Sequence, residues 1–450
     1  MKAIILVGGK GLKIWPYSDI RNKCMIPISN KPILDYTVQT LLKEKVEVYI
    51  VGSSFMDEIK HYYRNTGVHV VVTEDTNGNV ETLLKSGIRE DCLVFFGDCM
   101  IDERDIQAII HSKKDTILLA KTLDDPHNHI IANNINNEYE PINFIAYPRG
   151  YDEGYYMIGG YFDNKLFDIL EYNNGRFRNT KVGVGSPNEK ILEESLNDYV
   201  ELQDDGYALK HLICKYDALD IDKPWDILQA NLMMNKKRCS SINESKIEGN
   251  IDDSAHIDGK VILGQGSYIG KNVYIKGNVI IGNNTIIDNG ATIEGSVVVG
   301  DHCVIQNYCK VGFGTTIGNH CIVEQTAEII GGMIMDKNYL YHHGEFFGLC
   351  GERCDLGAGT VCGTLRFDDG GTIHSLTGRK EMPKWFSNAT FLGDYTRSGV
   401  GVIFLPGVIV GTNCVVGAGT ILNKVVKSNT LIYPKQELVE KEWNYKKYGW

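Results

Sequence analysis

The sequence predicts an α/β domain over residues 1–235, a linker at 236–250 and a parallel β-helix over residues 251–435. Three observations carry this expectation. Short apolar strand patterns alternate with helical ones in the front half, a glycine-rich turn closes the first strand, and aliphatic residues recur at every sixth position from Ile251.

In the front half, Lys2–Val7 reads as a buried strand cut off by Gly8-Gly9-Lys10-Gly11. Further strand patterns lie at Val46–Val51, His69–Val72 and Leu93–Phe96, the last followed by Gly97-Asp98. Helical patterns occupy Ile33–Lys43 and Val80–Ser86, the second closed by Gly87. Such alternation implies a mostly parallel sheet covered on both faces, with ligands at the carboxyl ends of its strands. A glycine-rich turn at such an end lets backbone N–H groups approach a phosphate closely.

The back half counts in sixes. Positions 251, 257, 263 and so on to 323 are all Ile, Leu or Val, and the residue four places later is small or β-branched. A period of six fits neither a helix nor a simple strand; a short strand per hexad with a corner between hexads satisfies it. Three hexads then close one triangular coil. Glycine often follows the aliphatic residue, as at Gly264, Gly270 and Gly282, and is expected to accept the bend. The pattern breaks at 329–355, restarts at Leu356, breaks again at 363–391 and resumes from Leu392 to Leu422, which predicts two loop insertions. Loops that interrupt a regular solenoid usually carry function or partner contacts. A tail is expected at 436–450.

Composition narrows the function classes. Glycine is abundant, 48 of 450 residues, and its concentration after residue 246 separates two unlike halves. A formal charge of −11 argues against nucleic acid or an anionic membrane as partner. The apolar run Ala3–Val7 is too short for a signal peptide, and no stretch reaches the ~20 apolar residues that span a bilayer, so a cytoplasmic location is expected. There the cysteines at interior repeat positions (Cys303, Cys309, Cys321, Cys414) read as small hydrophobes.

Particular motifs go further. The segment Leu6-Val-Gly-Gly-Lys-Gly-Leu-Lys-Ile-Trp-Pro16, with Asn22-Lys23-Cys-Met-Ile-Pro27 and Lys31-Pro32, resembles the signature of sugar-1-phosphate nucleotidylyltransferases, L-A-G-G-x-G-T-R-L-x-P, P-K-x-x-x-P and K-P. Gly97-Asp98 resembles the family's metal-binding aspartate after a buried strand. The run from Leu219-Asp220-Ile-Asp222 to Asn231 is similar to D-x-G-x-P-W-D-L-L-x-A-N, with Asp222 in place of glycine. Joined to hexapeptide repeats, the whole chain resembles the bifunctional nucleotidylyltransferase/acetyltransferase architecture. That resemblance implies a Rossmann-like front domain, a left-handed β-helix and a homotrimer assembled through it.

It also implies chemistry and residues. A sugar 1-phosphate would attack the α-phosphorus of a nucleoside triphosphate, giving a nucleotide sugar and pyrophosphate, with positioning and positive charge doing the catalysis. Mg²⁺ would sit on Asp98 and Asp220. Lys13 would hold the pyrophosphate and Lys23 the sugar phosphate. Leu6, Gly8, Gly9, Gly11, Gly78 and Gly159 would line the substrate. Several positions depart from the family: Leu12-Lys13 stands for Thr-Arg, Asn22 for proline, Thr73 for glutamine, Ala146-Tyr147-Pro148 for E-K-P and Met157-Ile158-Gly159 for N-A-G. The metal positions persist while the base- and sugar-reading ones differ.

In the back half, His343-Gly-Glu-Phe346-Phe-Gly348 resembles the H-x-x-Y-x-G of the acetyltransferase, whose histidine is a general base and whose acyl donor is acetyl-CoA. His342 is an equal candidate, since either imidazole suits removal of an amine proton near neutral pH. Three readings therefore stand: nucleotidyl transfer with the β-helix as an assembly rod, acyl transfer to an amino sugar phosphate by the β-helix, and a noncatalytic homologue that binds a sugar nucleotide.

Overall fold

The computed structural model describes residues 1–443, apart from 10, 124–125, 136–141, 173–178, 181–182, 185–189, 203–208 and 377–378. In chain order the front half contains β1 (Lys2–Leu6), α1 (Ile33–Lys43), β2 (Glu47–Gly52), α2 (Met56–Tyr63), β3 (His69–Val72), α3 (Asn79–Leu84), β4 (Cys92–Phe96) and β5 (Cys99–Ile101). There follow α4 (Glu103–Ile110), β6 (Thr116–Lys121), β7 (Ile130–Asn133), β8 (Asn143–Ala146), β9 (Tyr155–Phe162), α5 (Lys165–Tyr172), α6 (Leu192–Glu201), β10 (Lys210–Ile213), β11 (Ala218–Asp220) and α7 (Pro224–Ser240).

β1 explains why its sequence is apolar throughout. Successive side chains point to opposite faces: Ala3 and Ile5 join the core under α1, α2 and α4, while Ile4 and Leu6 join the core under α3, α5 and α6. β3, β2, β1 and β4 pair in that order, all parallel; β9 then runs antiparallel to both β4 and β6, and β10 closes the edge beside β6. The chain leaves β1 toward β2 and later returns to its other side as β4. A crevice opens at this reversal, beyond the carboxyl ends of β1 and β4.

The back half is a left-handed β-helix whose coils stack in parallel ladders. Ile251, Ile269, Ile287, Ile305 and Val323 lie in register on one face. Ile257, Ile275, Ile293 and Val311 form the second, and Leu263, Ile281, Val299 and Ile317 the third. Their side chains build one continuous interior that runs to Val426.

Three details correct the sequence expectations. The glycines that follow the aliphatic residues do not take the bend. Left-handed backbone falls three places after the aliphatic instead, at Gly266, Asn272, Asn284, Gly290, Ser296, His302, Tyr308, Gly314, His320 and Thr326, with φ from 52° to 73°. Gly264 is small for another reason: a Cβ there would lie 2.5 Å from the backbone of Gly282 in the next coil. Second, residues 329–355 are not an insertion. Ile317 pairs with Ile334, Val323 with Leu340 and Leu340 with Leu356, so coils shortened by one or two residues keep the ladder while losing the period. The insertion that remains lies between Cys362 and Thr390 and carries a hairpin, His374–Leu376 with Arg379–Glu381. Third, 236–250 is not a linker. α7 continues to Ser240, and Lys246–Ile247 already pairs with Ile262–Leu263.

α7 conceals itself in the sequence because it is packed on several sides. Trp225, Ile227, Leu228, Ala230 and Met234 belong to a core that also holds Ile14, Tyr17, Ile26 and Met100 from the front half and Met333, Met335, Leu349, Phe391 and Ile409 from the β-helix. The halves share an interior rather than a flexible joint. The expected tail carries no helix or strand from 436 to 443, and 444–450 lie outside the described residues. Among the described residues no helix is long and apolar enough to cross a membrane.

The two kinds of glycine should separate on substitution. Gly264→Ala should cost about 3 kcal/mol by overpacking adjacent coils. Gly401→Ala, with φ +67° but nothing within 4 Å of its Cβ, should cost about 1 kcal/mol of backbone strain. Thermal unfolding that ranks them in the opposite order would sink the stacking argument.

Candidate active site

A cavity of about 430 Å³ occupies the crevice between β1 and β4. Leu6 and Phe96, paired across those strands, line it, and Gly8 and Gly9 follow β1 along its wall. Its far side is made by Asp75–Asn79 before and at the start of α3, and by Asn128, His129, Tyr147, Tyr156 and Met157. Gly78 is required there: φ is +102°, and a Cβ would lie 2.1 Å from the carbonyl oxygen of Lys190.

Two acidic residues distant in sequence meet on the cavity floor. β11 pairs antiparallel with β5, setting Asp220 opposite Cys99, and the N–H of Ile221 donates to the carbonyl of Asp98. The ligand atoms of Asp98, Cys99 and Asp220 consequently lie within 4.8 Å of one another. The hydroxyl of Tyr156, its ring stacked on His129 at 4.7 Å, accepts from the Asp220 N–H.

Electrostatics make this floor asymmetric. Lys23 Nζ donates to Asp98 Oδ2 at 2.7 Å and to Asp222 Oδ1 at 2.5 Å, while Lys13 Nζ donates to Asp222 Oδ2 at 2.8 Å. Burial disfavours the Asp222 anion, yet the ammonium groups of Lys23 and Lys13 overcome it and hold its carboxyl well below the usual range. Asp220 goes the other way: burial first, then the Asp222 charge, raise it. Burial alone would neutralise Lys23, but Asp222, Asp98 and Asp220 keep its pKa above that of a free lysine. Attraction to Asp222 raises Lys13 as well, so it stays cationic at the cavity wall.

Burial and the Asp222 charge thus favour the neutral form of Asp220 until a cation arrives, and the hard oxygen donors of Asp98 and Asp220 suit Mg²⁺. Cys99 is the softer third group, its thiol pushed well above its usual value by burial and the neighbouring aspartates.

Of the expected site residues, Leu6, Gly8, Gly9, Lys13, Gly78, Asp98 and Asp220 gather at the cavity. Lys23 is buried beneath it, engaged by two carboxylates. Gly11 is outside the lining, where it turns the loop with φ +61°. Gly159 is also outside: it sits in β9, and a Cβ there would lie 2.6 Å from the Phe95 ring, so its smallness serves packing between strands. Tyr156 and His129 carry no signal in the sequence, and Asp222 is marked there without a role. Asp222 had one signal, its replacement of a glycine. Asn22 gains a role too: its amide donates to the carbonyls of Val7 and Ser54, and its oxygen accepts from the Cys24 N–H, pinning the Lys23 loop to β1.

His343 lies elsewhere, at an exposed left-handed corner of the β-helix, with Nδ1 2.6 Å from the Thr326 hydroxyl. Its neighbour His342 faces a carboxylate. Glu324 Oε2 is 2.9 Å from His342 Nδ1 and accepts the His342 backbone N–H, while Glu324 Oε1 accepts from the Tyr339 hydroxyl at 2.6 Å. The Tyr339 bond, then burial against it and then His342, leave Glu324 with a lowered pKa.

These features define a two-domain transferase: an α/β domain with an acidic, lysine-bearing cleft, fused to a hexapeptide β-helix. Residues 2–205 match the nucleotidyl transferase family model, and 260–295 and 278–313 match the bacterial transferase hexapeptide model. The chain is 32% identical to the bifunctional protein GlmU of Methanococcus maripaludis strain C7, over 98% of each chain. It is 30% identical to the GlmU of Methanococcus vannielii, over 99% of this chain and all of that one. It is also 26% identical to a bifunctional sugar-1-phosphate nucleotidylyltransferase/acetyltransferase of Sulfurisphaera tokodaii, over 95% of this chain and 98% of that one. The chain belongs to the GlmU-like family of bifunctional nucleotidyltransferase/acetyltransferases.

Asp222 would compete with a triphosphate bound in this cavity for Lys13. Asp222→Asn should therefore tighten nucleoside triphosphate binding about fivefold, the worth of about 1 kcal/mol for a partly exposed ion pair. Calorimetry showing equal or weaker binding would remove Asp222 from that role.

Proposed function

We propose that the front half transfers a nucleotidyl group from a nucleoside triphosphate to a sugar 1-phosphate, releasing pyrophosphate. The observation that carries this is the meeting of Asp98 and Asp220 beside a side-chain-free backbone turn and a cavity-facing lysine. The new bond joins a sugar phosphate oxygen to the α-phosphorus, and the bond to the β-phosphate oxygen breaks as it forms. Negative charge accumulates on the α-phosphoryl oxygens and on the departing pyrophosphate.

The chain's own groups suit each demand. Gly8 and Gly9 permit close approach of the triphosphate to the end of β1. Lys13, permanently charged, answers the leaving pyrophosphate. Lys23 acts from below by holding Asp98 and Asp222 in place. Asp98 and Asp220 are the carboxylates that would hold Mg²⁺, which when bound neutralises charge on the phosphoryl oxygens. The end lined by Asn128, His129 and Tyr147 would take the sugar, and Tyr147 stands there where the family pattern has the lysine of Glu-Lys-Pro.

A second activity has its own observation. Glu324 orients His342 in the manner of a carboxylate fixing the tautomer of a general base. His342 rather than His343 would then remove the amine proton of an amino sugar phosphate as acetyl-CoA transfers its acetyl group, with the coenzyme A thiol leaving.

Pyrophosphate release across a panel of triphosphates and sugar phosphates tests the first reading. Asp98→Ala should abolish it and His343→Ala should leave it intact; activity undiminished by the Asp98 change defeats the site assignment. Coenzyme A release from acetyl-CoA and an amino sugar phosphate tests the second. His342→Ala should lower it about a hundredfold, and an unaltered rate would take His342 out of the chemistry.

A further inference from the structure

The loop between the glycine turn and Lys23 has two sides. Lys13, Asn22 and Lys23 face the cavity floor and β1, while Trp15, Pro16, Tyr17, Asp19 and Arg21 all touch the β-helix. Tyr17, fully buried, donates its hydroxyl to the carbonyl of Leu349 at 2.8 Å. The Thr412 hydroxyl donates to the carbonyl of Pro16, and Ser428 bridges Trp15 Nε1 and the Asp19 carboxylate.

Arg21 is the strongest of these attachments. Only 5% exposed, it places Nη2 2.6 Å from Asp394 Oδ1 and 3.3 Å from Glu352, and Nη1 on the Met335 sulfur. Asp394 is wholly buried, and its Oδ1 also accepts the Glu352 N–H at 2.7 Å. Burial opposes the charge on Arg21, and Asp394 and Glu352 outweigh it. Such a pair contributes little net stability but specifies one geometry, because either partner alone is an uncompensated buried charge. Two residues later the same strip of chain delivers Lys23 to Asp98 and Asp222.

A second tie acts on the opposite wall. Lys223, next to Asp222, is buried against Glu381 of the hairpin in the β-helix insertion, at 2.6 Å. Two of the three chain segments that converge on the cavity floor, the Lys23 loop and the turn into α7, are thus held from behind by the β-helix.

We propose that the β-helix is a working part of the nucleotidyl-transfer site, and that Arg21, clamped by Asp394 and Glu352, is the positioning residue that sets Lys23 and hence Asp98 and Asp222. This deepens the nucleotidyl-transfer reading and rests on it. Displacement of the loop by about an ångström would cost tenfold to a hundredfold in turnover while leaving the α3 side of the cavity in place.

The test uses the full chain with the pair neutralised, Arg21→Met/Asp394→Asn, so that no lone charge is buried, beside the conservative Arg21→Lys. Hydrogen exchange of amides in residues 15–25 should accelerate in the double variant while β1 stays protected. The kcat for pyrophosphate release should fall about tenfold or more with the triphosphate KM within about threefold. Arg21→Lys, which keeps the charge, should recover most of the loss. A folded double variant with wild-type exchange, or with faster exchange but wild-type kcat, overturns the proposal. If the unmodified protein releases no pyrophosphate, the nucleotidyl reading fails separately. Exchange at 15–25 and Mn²⁺ affinity, read by electron paramagnetic resonance, then decide the clamp, and values unchanged in the double variant overturn it. If the double variant does not fold, Glu381→Gln carries the test from the other wall, and an unchanged kcat there overturns the proposal.

Discussion

One ammonium group organises the front half. Lys23 Nζ lies between Asp98, delivered by β4, and Asp222, delivered by the turn into α7. Three segments far apart in the chain meet there, and each brings a charge that would be costly to bury alone. The loop bearing Lys23, the β5–β11 pairing and the start of α7 therefore have to arrive together. The N–H groups of Asp222 and Lys223 both donate to Asp226, which locks the first turn of α7 to that junction.

That constraint accounts for what could be read in advance and what could not. The strands β1 and β4 were legible because a doubly covered strand must be apolar along its length, β3 because its valines are β-branched, and the repeats because every interior hexad position needs an aliphatic side chain. The coils at 329–355 were hidden because shortening a coil alters spacing in sequence without altering stacking in space. α7 past residue 235 was hidden because its last turns, Lys236-Lys237-Arg238-Cys239-Ser240, are polar and bury only Cys239, so they read as a connecting segment. Asp98 and Asp220 could be found through motif resemblance, whereas the bridge from Lys23 to Asp222 joins residues whose partnership only the fold reveals. Gly159 shows the opposite error: a glycine near a ligand site invites a binding role, but the Phe95 ring fills the space beside it.

The shared core between the halves gives the molecule its second theme. Apolar residues of the Ile14–Ile33 region, α7 and the β-helix form one cluster, ringed by Asn231 and Asn235 hydrogen-bonded to Thr316. The insertion that interrupts the solenoid sends its hairpin to Lys223, beside the floor of the front-domain cavity. The Glu324–His342 pair lies on coils of the same solenoid. Through the Lys223–Glu381 ion pair, the insertion of the solenoid lies one peptide bond from Asp222.

The cysteines carry a different consequence. Eleven of the twelve are buried, and those of the β-helix are spread from Cys303 to Cys414 along its axis. Burial raises the thiols of Cys321 and Cys350 and keeps them unreactive. The solenoid thereby contains its own set of graduated markers. An alkylating reagent meets little beyond Cys214 in the native protein, and the order in which the remaining thiols become modified under mild denaturant would record the direction in which the stack unzips.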